Sequence, residues 1–469
     1  MLDRRTMIGS GLAVASLIAA GEALAAPPRT RVSWQVFKTT PSYASFRNTV
    51  ATMKANTNAN DPNSWYYWAN VHQNFCPHGV PYFLTWHRGY IYRFEQQIRA
   101  ISGDQNFNLP YWDYYADANL PTEFTSPANA SNPLWTNRTN TNVAAALGYG
   151  FTQPQWVNFP RNWPTPMEPQ IESLPHNQVH NIIGGFMPTM QSPQDPIFWV
   201  HHANIDRLWC AWAAAGGGRT MPSTSDAYWN GSFVYGATPG MPKVQTRDTV
   251  STLGYTYDNE RLPRPPVFKT PRQPALRTVP LNGEKAVGDV LSLGDAQSAL
   301  TLDDTSFSVR VPLGPRGLDK TKALAAPSRG DAAPPPVSID VVLDDVALTE
   351  IGKGGGYYYK VYVNLPAAGG APEASHLIGT VGAFEIAGAL HHAQMEGAGH
   401  DMGQMGPKSE GGDGKVRLTL SATEVLRGLP PAQLSQLVVS FVRVDAPHAP
   451  KGPTITIGDF SVQAGTPER

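Results

Sequence analysis

Seven of the twelve histidines lie between residues 72 and 202, in two clusters. The first, HQNFCPHGVPYFLTWHR, holds His72, His78 and His87; the second, HNQVH followed by DPIFWVHH, holds His176, His180, His201 and His202. A neutral imidazole offers a lone pair to a metal ion. His176 and His180 are four residues apart, so on a helix both would project from one face and could grip one ion. That spacing alone serves a solvated helix face equally well. The surroundings favour metal: His202 and Asp206 are again four apart, Asp195 precedes a proline in an aromatic-rich segment, and two three-histidine sets could each hold one ion. Ligation by imidazole alone suits copper, and also zinc. Zinc hydrolases commonly add a carboxylate ligand or a glutamate base placed as in HExxH, and no such motif is present, which favours copper.

Helices must position these residues. Apolar residues three and four apart predict them over Tyr43 to Met53, Trp86 to Ile101 and Ile197 to Trp212, separated by loops rich in Asn, Pro and Thr. From Arg261 to Pro274 prolines stand at 263, 265, 266, 271 and 274, the composition of a stiff linker. Beyond it the period changes to two. Ser306 to Val311, Val337 to Leu343, Tyr357 to Leu365, Lys415 to Leu420, Leu437 to Val444 and Thr454 to Val462 alternate apolar and polar residues, which predicts an antiparallel β-sandwich or jelly roll. Residues 314–336, rich in Pro, Ala, Gly and Lys, read as an exposed loop open to cleavage.

The 469 residues exceed what one core usually serves, and a formal charge of -1 lacks the basic excess that nucleic acid would demand. Arg4 and Arg5 precede an apolar run from Met7 to Ala20, and Ala23-Leu24-Ala25 supplies small residues for a signal peptidase, so residues 1–26 read as an export signal. The paired arginines resemble a twin-arginine signal, with Asp3 where Ser or Thr is commoner and Met7 where Phe is commoner; the expected address is periplasmic or secreted. No later run is apolar enough to span a bilayer. The expected order is therefore signal (1–26), metal-binding catalytic domain (27–262), Pro-rich linker (263–280) and β domain (281–469). Only Cys76 and Cys210 are present, allowing at most one disulfide, and Cys210 in DRLWCAW reads as a buried small hydrophobe.

The stretches CPHGVPYFLTWHRGYIYRFE and HNQVHNIIGG, the latter followed by SPQDPIFWVHHANIDRLW, resemble both copper motifs of the coupled binuclear (type 3) copper proteins: tyrosinases, catechol oxidases and haemocyanins. The likeness covers most of residues 65–212 and is to a bacterial tyrosinase or polyphenol oxidase. It implies a mainly α-helical catalytic domain, a four-helix bundle with inward-pointing ligands. Residue by residue it assigns His72, His78 and His87 to copper A and His176, His180 and His202 to copper B. It leaves His201 as a neighbour and Asp206 as a group that orients a ring or caps the local network, with Asp195 in the same outer layer. Cys76 in CPH is similar to the C-x-H whose sulfur is joined to the ligand ring by a thioether, here Cys76–His78.

The chemistry implied is activation of O2 by two copper ions for o-hydroxylation of monophenols and oxidation of o-diphenols to o-quinones. A monophenol, with a pKa of about 10, must first lose its proton. Glu172 and Asn177 are similar to the Glu and Asn that hold a deprotonating water in tyrosinases. The family places a copper-gating residue in the loop Phe186 to Met190. Tyr255 and Tyr257 resemble the Tyr-x-Tyr that closes the catalytic domain with an arginine, here Arg29 or Arg31. A catechol oxidase or an o-aminophenol oxidase would share these ligands. So would a haemocyanin-like oxygen carrier, against which the signal, the chain size and the single copper unit argue. The motifs specify neither the phenol nor the oligomeric state.

The second half, around DVVLDDVALTEIGKGGGYYYKVYVNLP, resembles the C-terminal domain of plant polyphenol oxidases, which covers the active site and keeps the enzyme latent until proteolysis. Separately, HHAQMEGAGHDMGQM places His391, His392, Met395, His400, Met402 and Met405 in what reads as a Gly-rich loop. Thioether and imidazole together suit cuprous ion, so the segment is a candidate for copper loading.

Overall fold

The computed structural model describes residues 27–266, 269–288, 290–324, 337–397 and 414–465; the export signal lies outside the described residues. The first half is helical: α1 (Trp34–Phe37), α2 (Pro41–Ala55), α3 (Trp65–Phe75), α4 (Phe83–Ser102), α5 (Thr122–Thr125), α6 (Glu168–Ile171), α7 (Gln178–Ile183) and α8 (Ile197–Ala214). The three periodic stretches are helices α2, α4 and α8. Helix α3 has a defined start, because Ser64 accepts a hydrogen bond from the Tyr66 N–H, and α4 stops where Gly103 takes a left-handed conformation. Aromatic side chains weld these helices together. Phe94 of α4 lies flat on Trp199 of α8, and Trp65 and Trp68 of α3 meet both edge-on.

Two short strands, β1 (Arg29–Arg31) and β4 (Tyr255–Tyr257), pair in parallel and bring the start of this half to its end. Between them the hairpin β2 (Ser232–Tyr235) and β3 (Thr238–Pro242) folds back. Arg31, rather than Arg29, is the partner of the two tyrosines. It is fully buried, donates to Glu95 at 2.9 Å and to the Tyr257 hydroxyl at 3.0 Å, and lies over the Tyr255 ring. Arg29 instead donates to the Gln105 carbonyl. Asp206 gathers the network, accepting from Arg88 at 2.5 Å, from both tyrosine hydroxyls at 2.7 Å and from Arg31 at 3.4 Å.

The second half contains strands β5 (Leu281–Asn282), β6 (Lys285–Val287), β7 (Val290–Ala296), β8 (Leu300–Leu302), β9 (Phe307–Val311), β10 (Ser338–Leu348), β11 (Tyr357–Val363), β12 (Leu377–Val381), β13 (Val416–Ser421), β14 (Leu437–Asp445), β15 (Ile455–Ile457) and β16 (Asp459–Gly465). One sheet runs β5-β7-β16-β10-β15-β8, with β13 also on β10 and β6 on β7; the other runs β12-β11-β14-β9. Both are antiparallel, and one core takes Val341 and Phe460 from the first and Val361 and Phe441 from the second.

Helices α9 (Pro315–Leu324), α10 (Ala383–Gly397) and α11 (Thr423–Arg427) complete this half. Two loop expectations are corrected. Residues 315–324 form α9, which buries Thr321 and Leu324, while 325–336 lie outside the described residues. His391, His392 and Met395 stand on α10, not in a Gly-rich loop; His400, Met402 and Met405 lie outside the described residues. Cys210 is only partly buried and accepts from Arg88 at 3.3 Å.

Burial alone would raise the Asp206 carboxyl, but Arg88 and Arg31 outweigh it and hold it below the usual carboxylate range. A depressed folded-state pKa stabilises the protein above the unfolded-state value and is lost as pH falls through the folded-state value. Asp206→Ala should therefore lower unfolding free energy by about 3–5 kcal/mol at neutral pH, since it strands two buried arginines. Denaturant titrations should show that loss shrinking as pH falls below the ordinary carboxylate range.

Candidate metal centre

Six histidines arrive from four helices and two connecting segments. His72 lies on α3, His87 on α4, His180 on α7 and His202 on α8; His78 follows α3 in the loop to α4. His176 sits in a π-helical turn, Glu172–Asn177, that precedes α7 and is broken where Leu174 is extended. All six are buried. His72, His78 and His87 form one set with Cys76, and His176, His180, His201 and His202 form another, with potential ligand atoms inside each set within 4.8 Å of one another. The sets face each other: the His87 and His202 rings stack 4.5 Å apart, and those of His78 and His176 lie 5.7 Å apart.

Hydrogen bonds fix which nitrogen points inward. Nδ1 of His72 meets the Met190 carbonyl at 2.7 Å, Nδ1 of His87 the Phe83 carbonyl at 2.8 Å, and Nδ1 of His180 the Met187 carbonyl at 2.7 Å. His176 Nδ1 meets Asn177 Oδ1 at 2.8 Å. A carbonyl can only accept, so each of these rings carries its proton on Nδ1 and turns the Nε2 lone pair inward. Nε2 of His72, His78 and His87 is buried without a hydrogen-bond partner. In the second set, His202 Nε2 lies 3.3 Å from that of His176 and 3.4 Å from that of His180. Burial keeps the six imidazoles neutral, holding His87 and His180 down to about 3 and the others well below the usual histidine range. Converging lone pairs without protein donors fit two metal ions, and the all-imidazole sets fit copper.

Cys76 is buried with Sγ 3.1 Å from His78 Nδ1, and burial pushes its thiol pKa well up, so it stands beside the ring as a neutral thiol. His201 is buried among Tyr114, His176 and His180, and neither of its ring nitrogens has a partner. Among the described residues Asp206 has no hydrogen bond to a ligand ring; of the two roles expected of it, orienting a ring or capping the local network, its bonds to Arg31, Arg88, Tyr255 and Tyr257 fit the second, at the β1–β4 closure. Asp195 likewise pairs with Arg138 through both carboxylate oxygens and accepts from the Ile197 N–H at the start of α8. Glu172 accepts from the Gly79 N–H at 2.6 Å and from Arg161. Burial raises its carboxyl and Arg161 opposes the rise without cancelling it.

Several residues escaped sequence reasoning. Met187 and Met190 act through backbone carbonyls, so the loop over 186–190 orients one ligand of each set. Phe198, four residues before His202 on α8, places its ring 4.1 Å from His202 and 5.1 Å from His72. Phe384, at the start of α10 in the β half, stacks on His180 at 4.1 Å and meets His78 at 5.0 Å. It is held by Asn181, whose Oδ1 accepts from the Phe384 N–H while Nδ2 donates to Glu385. Gln178 donates to Thr380 and Glu385. The approach is so close that a Cβ on Gly382 would come within 2.3 Å of the Asn181 side chain. The start of α10 and strand β12 thus pack on α7, and Phe384 covers the His180 and His78 rings from one side.

Two facing, buried histidine sets on a helical frame fit a binuclear copper protein that uses O2. Residues 62–146 and 127–215 match the common central domain of tyrosinase. A tyrosinase of Hahella sp. (strain CCB-MM4) is 30% identical over 364 residues, 61% of this chain and 75% of that one. The chloroplastic polyphenol oxidase of Malus domestica is 27% identical over 272 residues, 45% of this chain and 46% of that one, so this alignment spans about half of the plant enzyme. The solved structure of latent apple tyrosinase has a TM-score of 0.54 at 18% identity and covers 94% of this chain and 98% of that one, a likeness of fold. The chain belongs to the tyrosinase family and is a copper oxidoreductase.

The expected assignment of His202, and not its neighbour His201, to the second ion has a direct test: on it, His202→Ala should lower bound copper from two ions per chain to one, whereas His201→Leu should retain both; copper content per chain by elemental analysis checks this.

Proposed function

We propose that this chain is an exported phenol oxidase that hydroxylates monophenols and oxidises o-diphenols to o-quinones, and that its β half holds it latent. The observation that carries the reading is the pair of facing imidazole sets with inward Nε2 atoms. The helical half, read as a four-helix bundle with ligands on α3, α4, α7 and α8, supplies their rigid placement, and the β half is read as a sandwich of its two sheets. His72, His78 and His87 would hold one copper, and His176, His180 and His202 the other. Copper bound there supplies redox chemistry with O2: one oxygen atom enters the ring of a monophenol and the other leaves as water.

The residues around the ligands supply the rest. Asn177 keeps the His176 proton on Nδ1. Glu172, made more basic by burial yet paired with Arg161, is the acceptor for a phenol proton through a water held with Asn177. Cys76, poised beside His78, is joined to it in a thioether: the S–H and one ring C–H are lost, a C–S bond forms, and two electrons pass to O2. That link fixes the ring before substrate arrives. Phe384 occupies the face of His180 where a phenol ring would stack, which supports latency. The domain limits 27–262, 263–280 and 281–469, and the signal over 1–26, belong to this reading.

Oxygen uptake by full-length, copper-loaded protein with a simple monophenol and the matching catechol tests it. Both should be slow at first and rise severalfold in Phe384→Ala, while Glu172→Gln in that background should lower monophenol turnover by about 10-fold or more, the usual weight of a general base, and catechol turnover far less. Uptake with catechol alone would make this a catechol oxidase, or an o-aminophenol oxidase if aminophenols serve. No uptake in either form would point to an oxygen carrier. Intact mass of the copper-matured chain should fall short of the sequence mass by two hydrogens, and His78 and Cys76 should be recovered in one cross-linked peptide.

A further inference from the structure

Helix α4, which carries His87, has no cap of its own. Tyr82 stands at its N-cap position in a left-handed conformation, with φ of 76°, and its side chain accepts no bond from the first turn. The Leu84 N–H is one of the four that a helix leaves without an internal partner. It is met from elsewhere in the chain: Glu168 Oε1 accepts it at 3.1 Å, as an N-cap oxygen would. The other oxygen, Oε2, accepts the Arg161 backbone N–H at 3.2 Å, and the Arg161 guanidinium pairs with Glu172. Glu168 is wholly buried, and burial raises its carboxyl to about 7 against the opposing pull of Arg161 and the Leu84 N–H. A carboxyl is costly to hold out of water, so its place here needs a reason.

The reason lies in what two carboxylates hold together. Glu168 and Glu172 are one helical turn apart on the segment that leads to His176, so they share a face. Glu172 accepts the Gly79 N–H, directly after His78, and Glu168 accepts the Leu84 N–H, three residues before His87. The connection between two ligands of one set is gripped near both ends by the segment that carries a ligand of the other. Phe83 lies between the grips. Its carbonyl holds His87 Nδ1 at 2.8 Å, and its ring lies 4.5 Å from that of His176 and 4.9 Å from that of His87.

We propose that Glu168 is a positioning residue which, with Glu172, clamps the connection between His78 and His87 onto the approach to His176 and so fixes the spacing of the two copper ions. Glu172 then serves twice, at the loop and as the proton acceptor, whereas Glu168 serves the spacing alone. A negative group at the start of α4 also suits the positive end of that helix. The inference rests on the binuclear copper reading, but its readouts are magnetic and conformational, not phenol turnover.

Two cupric ions close enough to share a bridging ligand pair their spins and give no electron paramagnetic resonance signal, whereas ions held farther apart give one. Full-length wild type loaded with two cupric ions should be silent. Glu168→Met, which keeps the bulk but accepts no hydrogen bond, should bind two ions and show most of that copper as signal. Glu168→Gln, whose amide oxygen can still accept from Leu84, should stay largely silent. A silent Glu168→Met would overturn the clamp while leaving the binuclear reading intact, as would equal signals in both variants, which would trace the effect to the lost charge and not to the grip. Amide hydrogen exchange on the copper-free chain is the second measurement. Residues 83–87 should exchange about 5-fold or more faster in Glu168→Met, the weight of a lost helix cap, with α3 and α8 unchanged. No change there, or an equal rise across α3 and α8, would overturn the clamp whatever copper the variant binds. A wild type that fails to take up two ions would overturn the binuclear reading as well.

Discussion

The structure depends on one arrangement: six imidazole rings held out of water, four of them tied at Nδ1 to carbonyl oxygens, with Nε2 turned into a space with no protein donor. Burying six such rings without partners for their inner nitrogens is unfavourable for the chain on its own. The fold accepts this because the outer nitrogens of four rings are satisfied, three by backbone carbonyls whose positions are set by helix α4 and the 186–190 loop. Burial then keeps the rings unprotonated, so the site is ready for a cation without competing protons. Tight aromatic packing between α3, α4 and α8 keeps the two sets from drifting apart.

The β half extends the same logic to the outer face of the site. Its contacts are made to the ligand helix α7 itself. Asn181, next in sequence to His180, accepts from the Gly356 and Phe384 N–H groups and donates to Glu385. Farther out, the Tyr358 hydroxyl reaches the Ala145 carbonyl and the His448 N–H reaches Asn140. The docking surface therefore joins directional polar contacts to an apolar patch, with Tyr358, Phe384 and Ala446 buried in the core of the helical half. The polar contacts specify a single seating, and the apolar burial supplies adhesion.

The two histidine clusters were legible because each is dominated by local motifs, and two of the helices that carry them, α4 and α8, show their period plainly. Proximity in sequence was a poorer guide to the outer layer. Asp206, one turn from His202, serves Arg31 and Arg88 instead of a ring, and Asp195 serves Arg138, because on a fully buried helix every face meets a different partner. Met187 and Met190 act through carbonyls, for which no side chain leaves a signature. Phe384 sits some 180 residues beyond the last ligand, in a segment whose Ala, Gly and His content has little helical period, so neither its helix nor its contact with His180 could be read from local pattern. The pairing of Arg31 with the tyrosines was anticipated as one of two choices, and burial decided it.

That last pairing reaches beyond stability. Because β1 and β4 lie side by side, the first and last strands of the helical half are fastened to each other by Arg31, Asp206, Tyr255 and Tyr257, and the polypeptide there is in effect a closed circuit. A protease acting on the proline-rich stretch that follows would cut outside the clasp. The metal-holding half would keep its ends knotted together after such a cut, so the link that holds its own ends and the link that tethers the β half are separate features of one chain.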